Sequence, residues 1–307
     1  MRILFIISAL WAYGIFACGD IIAQEISIFD DSASQLVLKE PANRIVSLYP
    51  ALSNIVDELG MKYKIVGTTK HDPIASHNPN ITIVGTHMRP SFEIIVGLTP
   101  DLVLQGSSRR DALAIVAALK KRNIPVGLFH PHSFQQLFST IKRIGTLIGA
   151  DSQSNQLVKK MESKLLTIQK RYPPPSSRPK VFFEINRTSL LTAGTKNIVN
   201  DIIIKAGGEN IVKIPKRIVR FNREELIKAQ PDIYIIQKGP MNRGASKKFD
   251  SPFFKSLPAI SKGNVLVVDE FLFSRPGPDS IKAVELLAQF IYDRFTKDAA
   301  SSKEIKK

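Results

Sequence analysis

The sequence predicts an α/β fold of two lobes joined by one long helix. Short apolar, β-branched runs alternate with stretches of helical periodicity along most of the 307 residues, which is typical of parallel sheets covered by helices. One phrase of sequence occurs twice, once in each half, which indicates two related lobes. Between the halves lies a helical stretch long enough to connect them.

The composition is that of a globular protein. Apolar residues make up 44% of the chain, too many for a disordered protein, and a single cysteine cannot form an internal disulfide. The 43 Lys and Arg outnumber the 27 Asp and Glu, so the formal net charge is +16. Because the basic residues are spread along the chain, we expect a basic surface and no nucleic-acid partner.

The N-terminus predicts export. A basic start is followed by an apolar stretch at residues 3–16 that is too short to span a bilayer comfortably. Two cleavage points remain open: after Ala23, giving a signal peptide of residues 1–23, or before Cys18, giving a signal of residues 1–17 and a lipid-anchored protein. The second would explain the position of the only cysteine. A buried N-terminal helix is disfavoured, because the stretch has no polar face.

The first lobe is predicted over residues 41–146. A strand at residues 44–48 precedes a short helix that we expect to start at a Ser53 cap and to end at Gly60. A later helix is predicted over residues 111–122. Further strands are predicted at residues 65–67, 81–84, 101–104 and 126–129.

Residues 147–175 are predicted to connect the lobes. Apolar residues at helical spacing over 134–148 end at Gly149, and a second helix over 151–172 ends at three consecutive prolines. A helix of about twenty residues is about 30 Å long, so the lobes can tilt only modestly. We therefore expect the ligand in the cleft between the lobes.

The second lobe, at residues 179–296, repeats the plan and is followed by a basic tail at residues 297–307. Its helix is predicted over residues 197–206. Its strands are predicted at residues 180–183, 232–236 and 265–268.

The repeated phrase places Glu93 and Glu224 at equivalent positions. Each glutamate lies seven residues before a Pro-Asp pair that opens an apolar strand. Ser91 and Asn222 are predicted helix caps, so each carboxylate falls in a first helical turn, where the helix dipole favours it. Local helix stability is therefore one explanation for both acids.

Motifs of catalysis are absent from the sequence. It contains no phosphate-binding loop, no His-Glu-x-x-His, no Gly-x-Ser-x-Gly and no cysteine pair. Gly207 and Gly208 lack the dinucleotide spacing and are interpreted as a helix C-cap turn. His130 and His132 have no nearby acid or cysteine in sequence to complete a tetrahedral site, so no metal site is predicted there.

These features together resemble a known family. The lobes, the long helix and the repeated glutamate occur with Ala-Gly-Gly-Glu-Asn-Ile at residues 206–211 and Phe-Ser-Arg-Pro-Gly-Pro at residues 273–278. In this order they resemble the substrate-binding proteins of ABC importers for ferric siderophores, haem and vitamin B12, over roughly residues 41–295. The resemblance implies two Rossmann-like lobes joined by one α-helix (class III periplasmic binding protein). It also implies a periplasmic, monomeric protein that performs no catalysis and has no intrinsic cofactor.

The resemblance further implies the partners. A metal chelate would be the transported ligand, and an ABC permease dimer in the inner membrane would receive it. In the family, one acidic residue per lobe meets arginines on the two permease subunits, and the matching positions are Glu93 and Glu224.

The predicted cleft departs from the vitamin B12 binders that the chain resembles. Their cleft aromatics are matched by His71 and His87 in the first lobe, and by Leu191 and residues 216–220 in the second. Arginine forks fit carboxylate and catecholate oxygens, which favours a ferric siderophore, and haem is a second anionic candidate with His87 or Tyr49 as an axial ligand. The predicted ligand-binding residues are Tyr49, His71, His87, Arg89, Arg187, Arg220 and Arg275.

Other functions remain open at this point. A corrinoid is an alternative ligand within the same family, and a free-metal binder would need no chelator. A secreted two-lobe α/β transferase is an alternative of another class, with a nucleotide-sugar in the basic cleft. The transferase would need a catalytic acid or a phosphate-binding loop facing the cleft.

Overall fold

The structure is a computed structural model that describes residues 25–76, 78–106, 110–245 and 249–297. Both predicted cleavage points, at Cys18 and Ala23, lie outside the described residues, as does the basic tail beyond residue 297. Within the described ranges, no helix is both long enough and apolar enough to cross a membrane.

A hairpin and a five-stranded parallel sheet form the first lobe. The hairpin pairs β1 (Ile26–Phe29) with β2 (Gln35–Leu38) in antiparallel fashion. The sheet order is β5-β4-β3-β6-β7, and every pair is parallel. Its strands are β3 (Ile45–Ser47), β4 (Ile65–Thr68), β5 (Thr82–Ile83), β6 (Leu102–Gln105) and β7 (Val126–Leu128). Its helices are α1 (Pro50–Glu58), α2 (Pro73–Ser76), α3 (Phe92–Gly97) and α4 (Arg110–Lys120), with a 3₁₀ turn at Lys62–Lys64.

Helix α1 starts at Pro50, so the prediction of a Ser53 cap is wrong. Proline at the first helical position has the φ that a helix needs and lacks only an N–H that would have no partner there. Ser53 lies one turn inside, where its hydroxyl donates to the Pro50 carbonyl at 3.0 Å. Gly60, with φ of +76°, follows the end of the helix as predicted.

Two adjacent helices follow the first-lobe sheet and precede the second-lobe sheet. Helix α5 (Phe134–Ile148) is capped by Ser133 and ends at Gly149, whose φ is +72°. Helix α6 (Asp151–Arg171) has 21 residues and is therefore about 30 Å long. Its buried side chains belong to a hydrophobic core that includes residues of both lobes.

The second lobe is built on a mixed sheet in the order β11-β9-β8-β12-β13, with β10 also paired to β8. Strand β9 is antiparallel to β8 and to β11, and the other pairs are parallel. The strands are β8 (Lys180–Asn186), β9 (Leu191–Ala193), β10 (Glu209–Asn210), β11 (Ile218–Arg220), β12 (Ile233–Lys238) and β13 (Val265–Asp269). The helices are α7 (Ile198–Lys205), α8 (Arg223–Ala229), α9 (Pro252–Lys255), α10 (Pro258–Ser261), α11 (Glu270–Ser274) and α12 (Ser280–Tyr292), followed by a π turn at Asp293–Lys297.

The repeated Pro-Asp has the same structural role in each lobe. Asp101, just before β6, accepts hydrogen bonds from the backbone N–H groups of Asn43 and Arg44 at 2.8 and 2.9 Å. Asp232, just before β12, accepts one from the N–H of Lys180 at 2.8 Å. Each aspartate thus fixes the start of the neighbouring central strand, so the repeat reflects two lobes of one plan.

Candidate ligand cleft

A cleft with a cavity volume of about 380 Å³, open to solvent, lies between the lobes. Its volume falls within the roughly 300–1,000 Å³ typical of small-molecule pockets. Both walls consist largely of residues that follow the carboxyl ends of strands, where α/β folds bind ligands. The first-lobe wall comprises Tyr49, Pro50, His71, His87, Met88, Gly106, His130, Pro131 and His132. The second-lobe wall includes Ile185, Lys196, Asn197, Ile198, Arg217, Ile218, Pro240, Met241, Glu270, Ser274, Arg275 and Pro276.

Tyr49 follows β3 and provides the N-cap of α1. Its ring lies against Gly106, at the end of β6, where an added Cβ would be 2.4 Å from the tyrosine Cδ1. Burial raises the pKa of the Tyr49 hydroxyl, and the positive charges of Arg217 and Arg275 oppose that rise. Burial therefore keeps the Tyr49 side chain in its neutral phenol form, and the two arginines only partly offset that effect.

Arg275 lies next to the acid Glu270 at the base of the second-lobe wall. Its guanidinium stacks 3.5 Å from the centroid of the Phe271 ring. Burial lowers the pKa of Arg275, whereas the charge of Glu270 acts to raise it. Glu270 is only 7% exposed, and its Oε2 accepts a hydrogen bond from the N–H of Met241 at 2.8 Å. The carboxylate thus fixes part of the cleft wall.

Four of the five histidines of the chain line the first-lobe wall. Burial is the largest cause that lowers the pKa of His132, and His130 and Lys196 lower it further. A neutral imidazole has a lone pair available for a metal. The described residues contain no group of three or more His, Cys, Asp or Glu side chains that could hold a metal ion.

The structure brings four of the seven predicted ligand residues to the cleft: Tyr49, His71, His87 and Arg275. Arg187 does not line it. Its Nε donates to the buried carboxylate of Glu184 at 2.9 Å, and its guanidinium lies 4.7 Å from the ring centroid of Phe249. The prediction that Arg187 faces the ligand therefore requires correction, because its charge is used inside the second lobe.

Arg89 and Arg220 are exposed and do not line the cleft. Arg89 ends a tight turn in which its backbone N–H donates to the hydroxyl of Thr86 at 3.1 Å. His87 and Met88, between these two residues, line the cleft instead. Arg220 lies at the opposite end of β11 from Arg217, about 10 Å further along an extended strand. Arg217 lies in the predicted segment 216–220 but was not among the predicted ligand residues, and it lines the cleft.

The prediction also missed the apolar part of the lining. Two methionine side chains, Met88 and Met241, are each 40% exposed at the cleft. Aliphatic and proline side chains extend this surface on both lobes, whereas Tyr49 is the only Phe, Tyr or Trp in the described lining. The rule that ligands bind beyond the carboxyl ends of strands would have selected residues 130–132, which directly follow the strand predicted at residues 126–129. Residues 240–241 come shortly after the end of β12 at Lys238, two residues beyond the predicted strand end.

Glu93 and Glu224 occupy matching positions away from the cleft. Each is the second residue of its helix, α3 or α8, and each is exposed. The caps are Ser91 and Asn222. Each side-chain oxygen accepts a hydrogen bond from the backbone N–H of the residue three positions later, at 3.3 Å for Ser91 and 2.6 Å for Asn222. The predicted caps are confirmed, and the two carboxylates are equivalent in local geometry.

A sequence profile described as periplasmic binding protein matches residues 45–271, most of the chain. The chain belongs to this family. It is thus a periplasmic binding protein, and the expectations of two α/β lobes, one long connecting helix and a substrate-binding role in an ABC importer are confirmed.

Individual relatives resemble this periplasmic binding protein over most of their length. The ABC transporter substrate-binding lipoprotein YvrC of Bacillus subtilis (strain 168) is 29% identical over 272 residues, covering 87% of the chain and 85% of the relative. The high-affinity haem uptake protein IsdE of Staphylococcus aureus is 26% identical over 276 residues, covering 87% and 92%. The crystal structure of the periplasmic haem-binding protein HutB of Vibrio cholerae shares the fold, with a TM-score of 0.71 at 20% identity, covering 81% and 98%.

Proposed function

We propose that this periplasmic binding protein captures an iron chelate, with haem as the favoured cargo, and delivers it unchanged to an ABC permease. The observation that carries the proposal is Tyr49, which lines an apolar cleft beside two arginines, Arg217 and Arg275. Haem combines an extended apolar face, carboxylates and an iron that tyrosine, histidine or methionine can ligate. The cleft contains a partner for each of these parts.

The lining favours haem over the alternative ligands. Aliphatic residues and methionines match the apolar face of a porphyrin better than they match a hydrophilic ferric siderophore. A corrinoid would find only one aromatic ring in the described lining. The haem uptake role of IsdE, at 26% identity, supports the same choice. A transferase would need a free catalytic acid, but Glu270 is buried and engaged with the backbone of Met241.

Titration of the purified, ligand-free protein with haemin tests the proposal. We expect a saturable, shifted Soret band at one haemin per chain, and no conversion of the haemin. Tyr49→Phe removes the oxygen that can bind iron and should weaken binding about tenfold or more, as expected for one lost metal-ligand contact. Tyr63→Phe, at a tyrosine that is 73% exposed outside the cleft, is the matched control.

Two outcomes would contradict the haem assignment. The first is that haemin shows an unchanged Soret spectrum when the protein is added, while a ferric siderophore or cyanocobalamin shows saturable absorbance changes. The other is chemical conversion of the bound compound, which would favour an enzyme.

We also propose that Glu93 and Glu224 guide docking onto a two-subunit permease. Exposed charges at matching positions of two lobes can orient a partner and speed its association. Glu93→Lys with Glu224→Lys should abolish uptake in cells while haemin binding stays unchanged. The control is Glu162→Lys with Glu225→Lys, which reverses two exposed glutamates outside the matched pair. Normal uptake by the first double variant would remove the docking role.

We propose that the mature protein is monomeric and works outside the cytoplasm. It is either anchored to the membrane through a lipid on Cys18 or diffuses freely in the periplasm. The lipoprotein name of YvrC supports the anchored form. Cys18→Ser should move the protein from the membrane fraction to the soluble fraction. Soluble wild-type protein would instead favour cleavage after Ala23.

A further inference from the structure

The hairpin β1–β2 packs against the end of a strand that leads into the cleft. The backbone N–H of Asp31, in the hairpin turn, donates to the carbonyl of Leu128 at 2.9 Å. The N–H of Leu128 in turn donates to the carboxylate of Asp30 at 3.1 Å. Leu128 is the last residue of β7, and the hairpin lies before the 45–271 stretch that defines the family.

The Asp31 carboxylate reaches past β7 to the residue that begins the cleft segment. Its Oδ2 accepts a hydrogen bond from the backbone N–H of His130 at 2.7 Å and lies 3.7 Å from the His130 Nδ1. Its Oδ1 accepts from Nη2 of Arg143 on α5 at 2.6 Å. The Asp31 side chain is only 17% exposed, so these charge-assisted contacts are partly shielded from water and hold a defined geometry.

The other face of the same segment belongs to the candidate ligand site. His130, Pro131 and His132 all line the cleft, and the N–H of His132 is held by the side-chain oxygen of Gln136 at 3.0 Å. Asp31 does not line the cleft itself. The Asp31 carboxylate instead binds His130, the first residue of the segment, from the side that faces away from the cleft.

We infer that Asp31 is a positioning residue for ligand binding: it fixes His130, and through it His132, at the cleft wall. The N-terminal hairpin is then part of the binding apparatus, although it lies outside the family-defining stretch. The inference rests on the proposed function, because it takes the segment 130–132 to contact the cargo.

Haemin affinity and histidine spectra of four proteins test this role. Asp31→Ala should weaken haemin binding about tenfold or more, the effect of losing a hydrogen bond to a charged group. Asp31→Asn keeps one oxygen for the His130 N–H and should show a smaller loss. Gln35→Ala is the control, because Gln35 is in the same hairpin but donates only to the exposed Ser27 hydroxyl, at 2.8 Å.

A double-mutant cycle separates positioning from a general loss of stability. In a His130→Ala, His132→Ala background, Asp31→Ala should cause no further loss of haemin affinity, because the side chains that it positions are gone. An equal loss in both backgrounds would overturn the inference.

Histidine spectra of the ligand-free protein test the inference independently of the cargo. With ¹³C-labelled histidine, Asp31→Ala should shift the imidazole resonances of His130 and His132 and leave those of His71 and His87 in place. Unchanged His130 and His132 resonances would overturn the positioning role even if haemin binds. Absence of haemin binding by the wild type, with the expected shifts present, would overturn the haem proposal and leave the positioning of the segment supported.

Discussion

At the scale of single residues, the orientation of Tyr49 depends on Gly106, which has no side chain. Because a Cβ at Gly106 would be 2.4 Å from the Tyr49 ring, the ring can lie against the end of β6 only next to glycine. The β6 backbone thus sets the direction in which the phenol oxygen points.

Gly106→Ala should therefore impair ligand binding. The added methyl group would lie 2.4–2.6 Å from the Cδ1, Cγ and Cβ atoms of Tyr49, so the whole side chain must move. We expect haemin affinity to fall roughly tenfold, about 1.4 kcal/mol, and Tm to fall as well. Gly97→Ala is the control, since a Cβ there has nothing within 4 Å, and it should bind haemin normally. Equal affinity in the two variants would show that the ring does not depend on Gly106.

His132 predicts a pH dependence of stability. Its pKa is lowered in the folded protein, chiefly by burial, so below about pH 6.5 the unfolded chain binds more protons at this position. Stability should therefore fall as the pH falls from about 7.5 to 5, and His132→Gln should flatten that slope. Lys196→Gln, which removes a nearby cation, should flatten it partly. Urea unfolding at several pH values measures the slope, and an unchanged slope in His132→Gln would refute the assignment.

Cleft residues could be predicted from sequence where their position next to a strand end places them at the cleft. The prediction failed where the environment of a side chain depends on an ionic or hydrogen-bond partner that the sequence does not reveal. Tyr49 and His71 follow strands and therefore reach the cleft. Arg187 has a buried carboxylate three residues earlier, but nothing in the sequence shows that Glu184 points into the lobe. The same limit hid Glu270, whose charge acts on Tyr49, and it left Arg217, inside the predicted segment 216–220, out of the ligand residues. Which of these residues contact the cargo stays a prediction.

At the scale of elements, the buried side chain of Lys64 binds the C-terminal end of α5. The Lys64 Nζ donates to the carbonyl of Ile148, at the end of α5, at 2.8 Å and to the carbonyl of Ala42 at 3.0 Å. A cation at a helix C-terminus is favoured by the helix dipole and satisfies carbonyls that have no partner within the helix. The 3₁₀ turn after α1 thus holds the helix that leads to the lobe connection.

Lys64→Met should lower the free energy of unfolding by about 1–3 kcal/mol, because two buried carbonyls lose their donor. Lys62→Met, in the same turn but partly exposed, should change it by less than about 0.5 kcal/mol. Urea denaturation with matched m-values measures both. Equal stabilities would show that the Lys64 contacts contribute nothing net.

Most helices and central strands were predictable because their ends carry strong local signals. Gly149 ends α5, Asn197 caps α7, and the prolines after α6 stop it. Strands β9 and β11 were missed, because three-residue strands show too little periodicity and pair through distant contacts. The exact boundaries of the lobes stay predictions.

At the scale of the whole molecule, α6 is part of one core shared by both lobes. Met161, Leu165 and Ile168 are buried in a cluster that includes Ile144 of α5 and Val284 of α12. A second link is the side chain of Asp201 on α7, which accepts from the N–H of Phe134, the first residue of α5, at 2.6 Å. The lobes therefore should unfold together.

Met161→Ala should lower the free energy of unfolding by about 2–5 kcal/mol in a single thermal transition for both lobes. Leu166→Ala, on the same helix but at a side chain that is 60% exposed, should have little effect, whereas Met161 is only 4% exposed. Calorimetry measures both variants. Two resolved transitions in the wild type would contradict the shared core.

The Asp201 hydrogen bond also affects how fast a bound ligand can leave the cleft. It joins the first residue of α5 to helix α7 of the second lobe beside the shared core, so thermal motion alone should seldom separate the two lobes. We expect bound ligand to dissociate slowly from the isolated protein, at a rate set by how often the lobes separate.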